Sequence, residues 1–166
     1  MKTLLIVRHA KSDWKDESLS DFDRPLNSRG KKNAPEMGLR MKRHGFQPDL
    51  IWSSAAKRAK RTAKLIAKSI AYAEDKIVFD ENLYHAGRRS LLEQIKQQED
   101  KYEFIMLVGH NPGLSMLASE LGSITIDNIP TSGMAMLNFQ VNSWSEINLG
   151  SGSLLWYDYP KSKNNL

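Results

Sequence analysis

The 166-residue chain has no cysteine. That absence excludes disulfides, thiolate metal centres and a cysteine nucleophile together. There is no apolar run near the ~20 residues that cross a bilayer. The opening stretch, Met1 to Val7, stops at Arg8-His9. It is too short for the apolar region of a secretion signal, and no small-residue cleavage site follows. Repeats, low-complexity tracts and an interdomain linker are also missing. What remains is 40% hydrophobic and 26% charged, the composition of a globular protein rather than a disordered, collagenous or coiled-coil one. At this length one domain is expected, residues 1–160, with 161–166 as a frayed tail. A cytoplasmic monomer without membrane attachment fits these absences.

Charge is unevenly placed. The net value is +5. Residues 1–68 hold 17 Lys and Arg against 7 Asp and Glu, while residues 69–166 hold 7 against 12. A basic first half points to an anionic partner: nucleic acid, phosphorylated protein or phosphate ester. Much of that excess is surface, because Lys57, Lys60, Arg61, Lys64 and Lys68 share the face of a helical repeat opposite Ala59, Thr62, Ala63, Ile66 and Ile70.

Three short apolar runs, Leu4–Val7, Asp49–Trp52 and Phe104–Val108, read as buried strands. Helical spacing predicts helices over Asn27–Arg43, Ala55–Ala73 and Ser90–Gln98, and another opening at Asn111-Pro112 with the proline in its first position. Further strands are expected at Ile77–Phe79, Ala135–Val141 and Leu154–Tyr159, the last two as an antiparallel hairpin. Alternating strands and helices predict an α/β fold: a three-layer α/β/α sandwich with a mostly parallel mixed sheet.

Ligands of such sheets bind beyond the carboxyl ends of the strands. Arg8 and His9 follow the first run. Ser53, Ser54 and, in the next helix, Arg58 follow the second. Gly109 and His110 follow the third. Two of the four histidines and two arginines thus converge, with no carboxylate read beside them. Guanidinium forks and helix N-termini suit the spread charge of a phosphoryl group. Histidine is a competent nucleophile toward phosphorus, and cationic neighbours favour its neutral, attacking form. The competing chemistry is a zinc site from His9, His110 and Asp13, which the adjacent Arg8 and Arg58 oppose. No metal and no cofactor are expected.

These residues carry a resemblance. Val7-Arg8-His9-Ala10 resembles the Arg-His-Gly signature of the histidine phosphatase superfamily, with Ala10 in place of glycine. Ser53-Ser54 followed by Arg58-Ala59 and Thr62-Ala63 is similar to the second motif, and Val108-Gly109-His110-Asn111-Pro112 to the third. The match runs in order from about residue 3 to 160. It implies the phosphoglycerate mutase-like fold and a covalent phosphohistidine on His9, with Arg8, Arg58 and His110 forming the phosphate pocket. Arg24, in Arg24-Pro25-Leu26-Asn27-Ser28-Arg29-Gly30, resembles a family stretch that implies a further pocket-lining arginine.

One departure bears on substrate. Larger members place an acid four residues before a glycine after the central strand; here Leu83 stands four before Gly87. Glu81 and His85 are the nearby substitutes for that proton donor. An alkoxide leaving group needs a proton, whereas a protonated phosphohistidine already carries a good leaving group. The missing acid, the short length and the lack of room for a cap resemble the small bacterial phosphohistidine phosphatases of the SixA type. They imply a metal-independent hydrolase with a shallow site open to phosphohistidine on a protein, toward which the basic face would steer an acidic phosphodomain. Two alternatives stand beside it: a general phosphomonoesterase acting on a small phosphate ester through the same His9, and a non-catalytic phosphate- or nucleic-acid-binding module. Trp14 and Trp144 lie in loops without a nucleic-acid-binding motif, so no nucleic-acid partner is expected.

Overall fold

The computed structural model describes residues 1–162. Lys2–Arg8 forms β1, Leu50–Ser54 β2, Val78–Asp80 β3, Phe104–Gly109 β4, Met134–Phe139 β5 and Gly152–Asp158 β6. The helices are α1 (Ser28–Arg43), α2 (Lys57–Ser69), α3 (Arg88–Lys96) and α4 (Gly113–Gly122). They build one six-stranded sheet in the order β3-β2-β4-β1-β5-β6. β1 to β4 run parallel, β5 is antiparallel to β1, and β5 and β6 form the expected antiparallel pair.

Strand alternation makes the three layers. In β1, Leu4 and Ile6 face the core shared with Leu91 and Ile95 of α3 and Leu114 and Leu117 of α4. Leu5 and Val7 face the other core, with Met37 and Met41 of α1 and Ala63 and Ile66 of α2. Ile105 and Leu107 of β4 divide from Met106 and Val108 in the same way. Burial on both faces is why the central strands read as unbroken apolar runs.

Most element boundaries shift by one to four residues from the expectation, because local hydrogen bonds end them. Asn27 caps α1 from outside, its side chain accepting the Gly30 N–H at 2.9 Å. β2 extends through Ser53 and Ser54 because both still pair in register with β3. Pro112 is the cap of α4 rather than its first residue. The tail is also corrected at its start: Ser162 is buried and its N–H donates to the Tyr159 carbonyl at 2.9 Å. Arg40 of α1, 3% exposed, gathers this end by donating to Asp158 Oδ2 (3.2 Å), the Tyr159 carbonyl (2.8 Å) and the Pro160 carbonyl (3.0 Å). The rest of the expected tail, 163–166, lies outside the described residues. No helix among the described residues is long and apolar enough to cross a membrane.

Neighbouring strands β1 and β4 lead into helices on opposite faces of the sheet, which opens a crevice at their carboxyl ends. Arg8 pairs with Gly109 across that end, and the His9 N–H donates to the Gly109 carbonyl at 3.0 Å.

Candidate active site

His9 sits at the floor of this crevice, 7% exposed. Its Nδ1 lies 2.8 Å from the Ala10 carbonyl, an acceptor only, so Nδ1 carries the proton. Its Nε2 then presents a lone pair, which accepts from Arg58 Nε at 3.3 Å. Both contacts demand the same tautomer. Burial is the main cause that pushes the His9 pKa down to about 4, with Arg58 and Arg8 adding to it against the Ala10 contact and Asp21. His9 is therefore neutral at pH 7.

The loop after His9 is pinned from two sides. Thr62 Oγ1 accepts the Ala10 N–H at 2.9 Å and donates to the Arg58 carbonyl at 2.7 Å, tying the loop to α2. A Cβ on Gly30 would collide with the Lys11 carbonyl, so only glycine lets α1 approach this close. Ser132 N–H reaches the carbonyls of Arg8 and His9, both at 3.1 Å. The Thr131-Ser132-Gly133 turn thus closes the end of β1.

His110 stands beside His9 with ring centroids 5.1 Å apart. Its Nε2 is 2.8 Å from Ser54 Oγ at the end of β2. Burial first, then His9 and Arg58, lowers its pKa to about 3. Arg8 donates from Nη1 to the Ile129 carbonyl at 3.0 Å. Arg8 Nε, Arg24 Nε, His110 Nδ1 and Ser132 Oγ are buried without a hydrogen-bond partner among the described residues. Unpaired buried polar atoms cost about 1–3 kcal/mol each, and Arg8 and His110 bring two of these four to the side of His9.

The expected absence of a carboxylate is corrected. Asp21, in the 3-10 turn Asp21–Asp23, meets Arg58 twice: its backbone carbonyl accepts from Nη1 at 2.6 Å and Oδ2 from Nη2 at 3.0 Å. Oδ2 also accepts from the Tyr84 hydroxyl. Tyr84 and Arg58 hold the Asp21 carboxyl below its usual range, so it is ionised at pH 7. Arg24 joins the same cluster, stacked 3.4 Å over the Trp14 ring with Nη2 3.6 Å from Asp21 Oδ1. The sequence offered only a faint sign of Asp21, a carboxylate three residues ahead of Arg24.

Four of the expected site residues, Arg8, His9, Arg58 and His110, come together. Leu83 is core, and its neighbour Tyr84 turns to the site. His85 is exposed at φ 59°, its ring centroid 3.9 Å from that of Tyr84, which places it at the rim. Glu81 is exposed, and no contact among the described residues joins its carboxylate to the four. Asp13 Oδ1 accepts the Lys15 N–H at 2.8 Å. No group of three or more His, Asp or Glu among the described residues could hold a metal ion.

Residues 4–84 match the model of the histidine phosphatase superfamily, branch 1. An uncharacterized chloroplastic protein of Arabidopsis thaliana is 32% identical over 163 residues, covering 93% of this chain and 74% of that one. An uncharacterized protein of Mycobacterium tuberculosis is 30% identical, covering 93% of this chain and 100% of that one. Among solved structures, the protein assigned as the phosphohistidine phosphatase SixA of Agrobacterium tumefaciens superposes with a TM-score of 0.79 at 28% identity, over 96% of this chain and 99% of that one. A protein histidine phosphatase SixA complexed with tungstate, 20% identical, shares the fold at a TM-score of 0.77 over 95% and 97% of the two chains. The chain belongs to the histidine phosphatase superfamily.

Proposed function

We propose that this protein is a phosphatase that removes the phosphoryl group from phosphohistidine on a protein, through a covalent intermediate on His9. The observation that carries the reading is the His9 tautomer. With Nδ1–H on Ala10 and Nε2 facing Arg58, a neutral nucleophile points at a guanidinium. Nε2 attacks phosphorus, and the P–N bond to the substrate imidazole breaks in line. The leaving imidazole, already protonated on its other nitrogen, departs neutral. Water oxygen then attacks the His9-bound phosphorus, the P–Nε2 bond breaks and the water's proton passes to solvent, releasing phosphate and restoring neutral His9. Arg8, Arg58 and His110 spread the charge of the equatorial oxygens through both steps.

The leaving group departs on the side away from His9, toward the rim formed by Asp21, Tyr84 and His85. Asp21 is ionised there and donates no proton at neutral pH. A leaving group that needs none, imidazole from a phosphoramidate, fits that chemistry better than an alkoxide. Only seven residues, Glu81 to Gly87, link β3 to α3, too few for that segment to build a cap over the mouth. A bulky protein substrate can reach it.

Phosphate release from a phosphohistidine-bearing protein tests the reading, measured in EDTA beside p-nitrophenyl phosphate and with His9→Ala. Turnover of the phosphoprotein in EDTA by wild type alone is expected. Turnover of the aryl ester only would leave the nucleophile standing and move the substrate to small phosphate esters. No turnover of either would point to a phosphate-binding module.

A further inference from the structure

Beside the catalytic crevice, a groove of about 440 Å³ runs between the start of α1 and the exposed face of α2. Lys31 of α1 and Lys57, Lys60, Arg61 and Lys64 of α2 line it together with Pro25 and Leu26; no carboxylate among the described residues does. Among the described residues no ion pair engages any of the five cations.

The charge of α2 runs against what helix stability favours. Its thirteen residues carry six Lys and Arg and no Asp or Glu. Lys57, Lys60, Arg61, Lys64 and Lys68 repel each other at spacings of three and four. Lys57 and Arg58 occupy the first turn, where the helix dipole disfavours cations, and no side chain caps that end. A face kept merely for solubility mixes both signs. Lys60 and Lys64 are also held in place, their ammonium groups 4.9 and 5.8 Å from the centre of the Phe79 ring.

The groove is rigidly joined to the site. Arg58 lies on α2 between the groove residues Lys57 and Lys60, and Pro25 directly follows Arg24 of the Asp21 cluster. We infer that this groove docks an acidic face of the phosphoprotein substrate, seating carboxylates while the phosphohistidine enters the crevice. The inference rests on the protein-phosphohistidine reading above. Carboxylates fit the groove better than a nucleic-acid strand, because the Phe79 ring beside it is engaged by the ammonium groups of Lys60 and Lys64 rather than open for bases to stack on.

The test pairs a phosphohistidine-bearing protein with an acidic face against free phosphohistidine and p-nitrophenyl phosphate. Lys60→Glu/Lys64→Glu is expected to lower kcat/KM on the phosphoprotein about tenfold or more, mainly through KM, and to flatten its dependence on salt. The two small substrates should stay within about twofold of wild type, which also reports that the variant is folded. Lys31→Glu, on α1, should act in the same direction. An equal loss on all three substrates, or none on the phosphoprotein, would overturn the inference. So would tight binding of single-stranded RNA that the double variant abolishes while phosphoprotein turnover is unchanged. If wild type hydrolysed p-nitrophenyl phosphate but neither phosphohistidine substrate, the functional reading itself would fall. Normal phosphoprotein turnover by wild type and double variant alike would remove only the docking site.

Discussion

Asp21 grips Arg58 with two different groups, its backbone carbonyl on Nη1 at 2.6 Å and its carboxylate on Nη2 at 3.0 Å. The guanidinium is thereby turned so that Nε meets His9. The grip has a cost, since a fixed anion beside the phosphate pocket repels an incoming oxyanion. Asp21→Asn keeps the carbonyl contact and removes the charge. Competitive inhibition by inorganic phosphate should therefore tighten about three- to tenfold. An unchanged or weaker inhibition constant would mean that the carboxylate matters more for aiming Arg58 than for its charge.

The pH dependence of the reaction follows from His9. Free histidine loses its proton near pH 6.5, but burial and the flanking arginines bring His9 to about 4. The acid limb of kcat/KM should therefore fall near pH 4, with no break between pH 5 and 7 assignable to the enzyme. Using p-nitrophenyl phosphate, the substrate's own ionisation must be subtracted. A limb near 6.5 after that correction would show that His9 is not held neutral.

Stability should respond in the same window. Between the folded value of about 4 and the unfolded value near 6.5, the unfolded chain binds more protons at His9 than the folded one. Stability is then highest above pH 6.5 and declines as pH falls toward 4, by about 2 kcal/mol between pH 7 and pH 5 for this one group. Urea unfolding at the two pH values measures it. His110, lowered to about 3, adds a comparable share, so His9→Asn should reduce the slope without abolishing it, and an unchanged slope would assign the loss to other groups.

Thr62 has no place in the chemistry, yet its hydroxyl is the acceptor for the Ala10 N–H. Thr62→Val keeps the shape and leaves that buried N–H unpaired, a loss of about 1–3 kcal/mol. Because the same loop sets the His9 carbonyl contact, activity should fall with kcat rather than KM. A variant as stable and active as wild type would show that another group takes over the N–H.

Arg40 and Asp158, 3% and 1% exposed at the side chain, form the most buried ion pair described. Arg40→Ala strands Asp158 and the carbonyls of Tyr159 and Pro160, so a destabilisation of about 3–5 kcal/mol is expected by urea melts. Arg40→Met with Asp158→Asn should recover part of it. Full-strength melting of Arg40→Ala would mean that water replaces the guanidinium.

Much of this protein was legible in its residues because its chemistry sits at strand ends. Arg8-His9, Ser54 and His110 each follow an apolar run, and a parallel sheet buried on both faces leaves its strands as such runs. Glycine at 30 and threonine at 62 could be seen as parts of motifs, but not what they touch. Asp21 is only faintly marked in the sequence, for a plainer reason. It lies in a loop without periodicity, and its meaning comes from Arg58, 37 residues away in sequence. Tyr84 was passed over because spacing drew attention to Leu83 and to Glu81 and His85 around it.

The layers, the order of the elements and the places of Arg8, His9, Arg58 and His110 are written along the chain, since hydrophobic period and strand-end position are local properties. Folding sets which nitrogen of His9 carries the proton, which acid answers Arg58, and that Lys57, Lys60, Arg61 and Lys64 share a groove with Lys31. Those outcomes depend on hydrogen-bond geometry and charge between segments far apart in the chain, and only folding sets such distances.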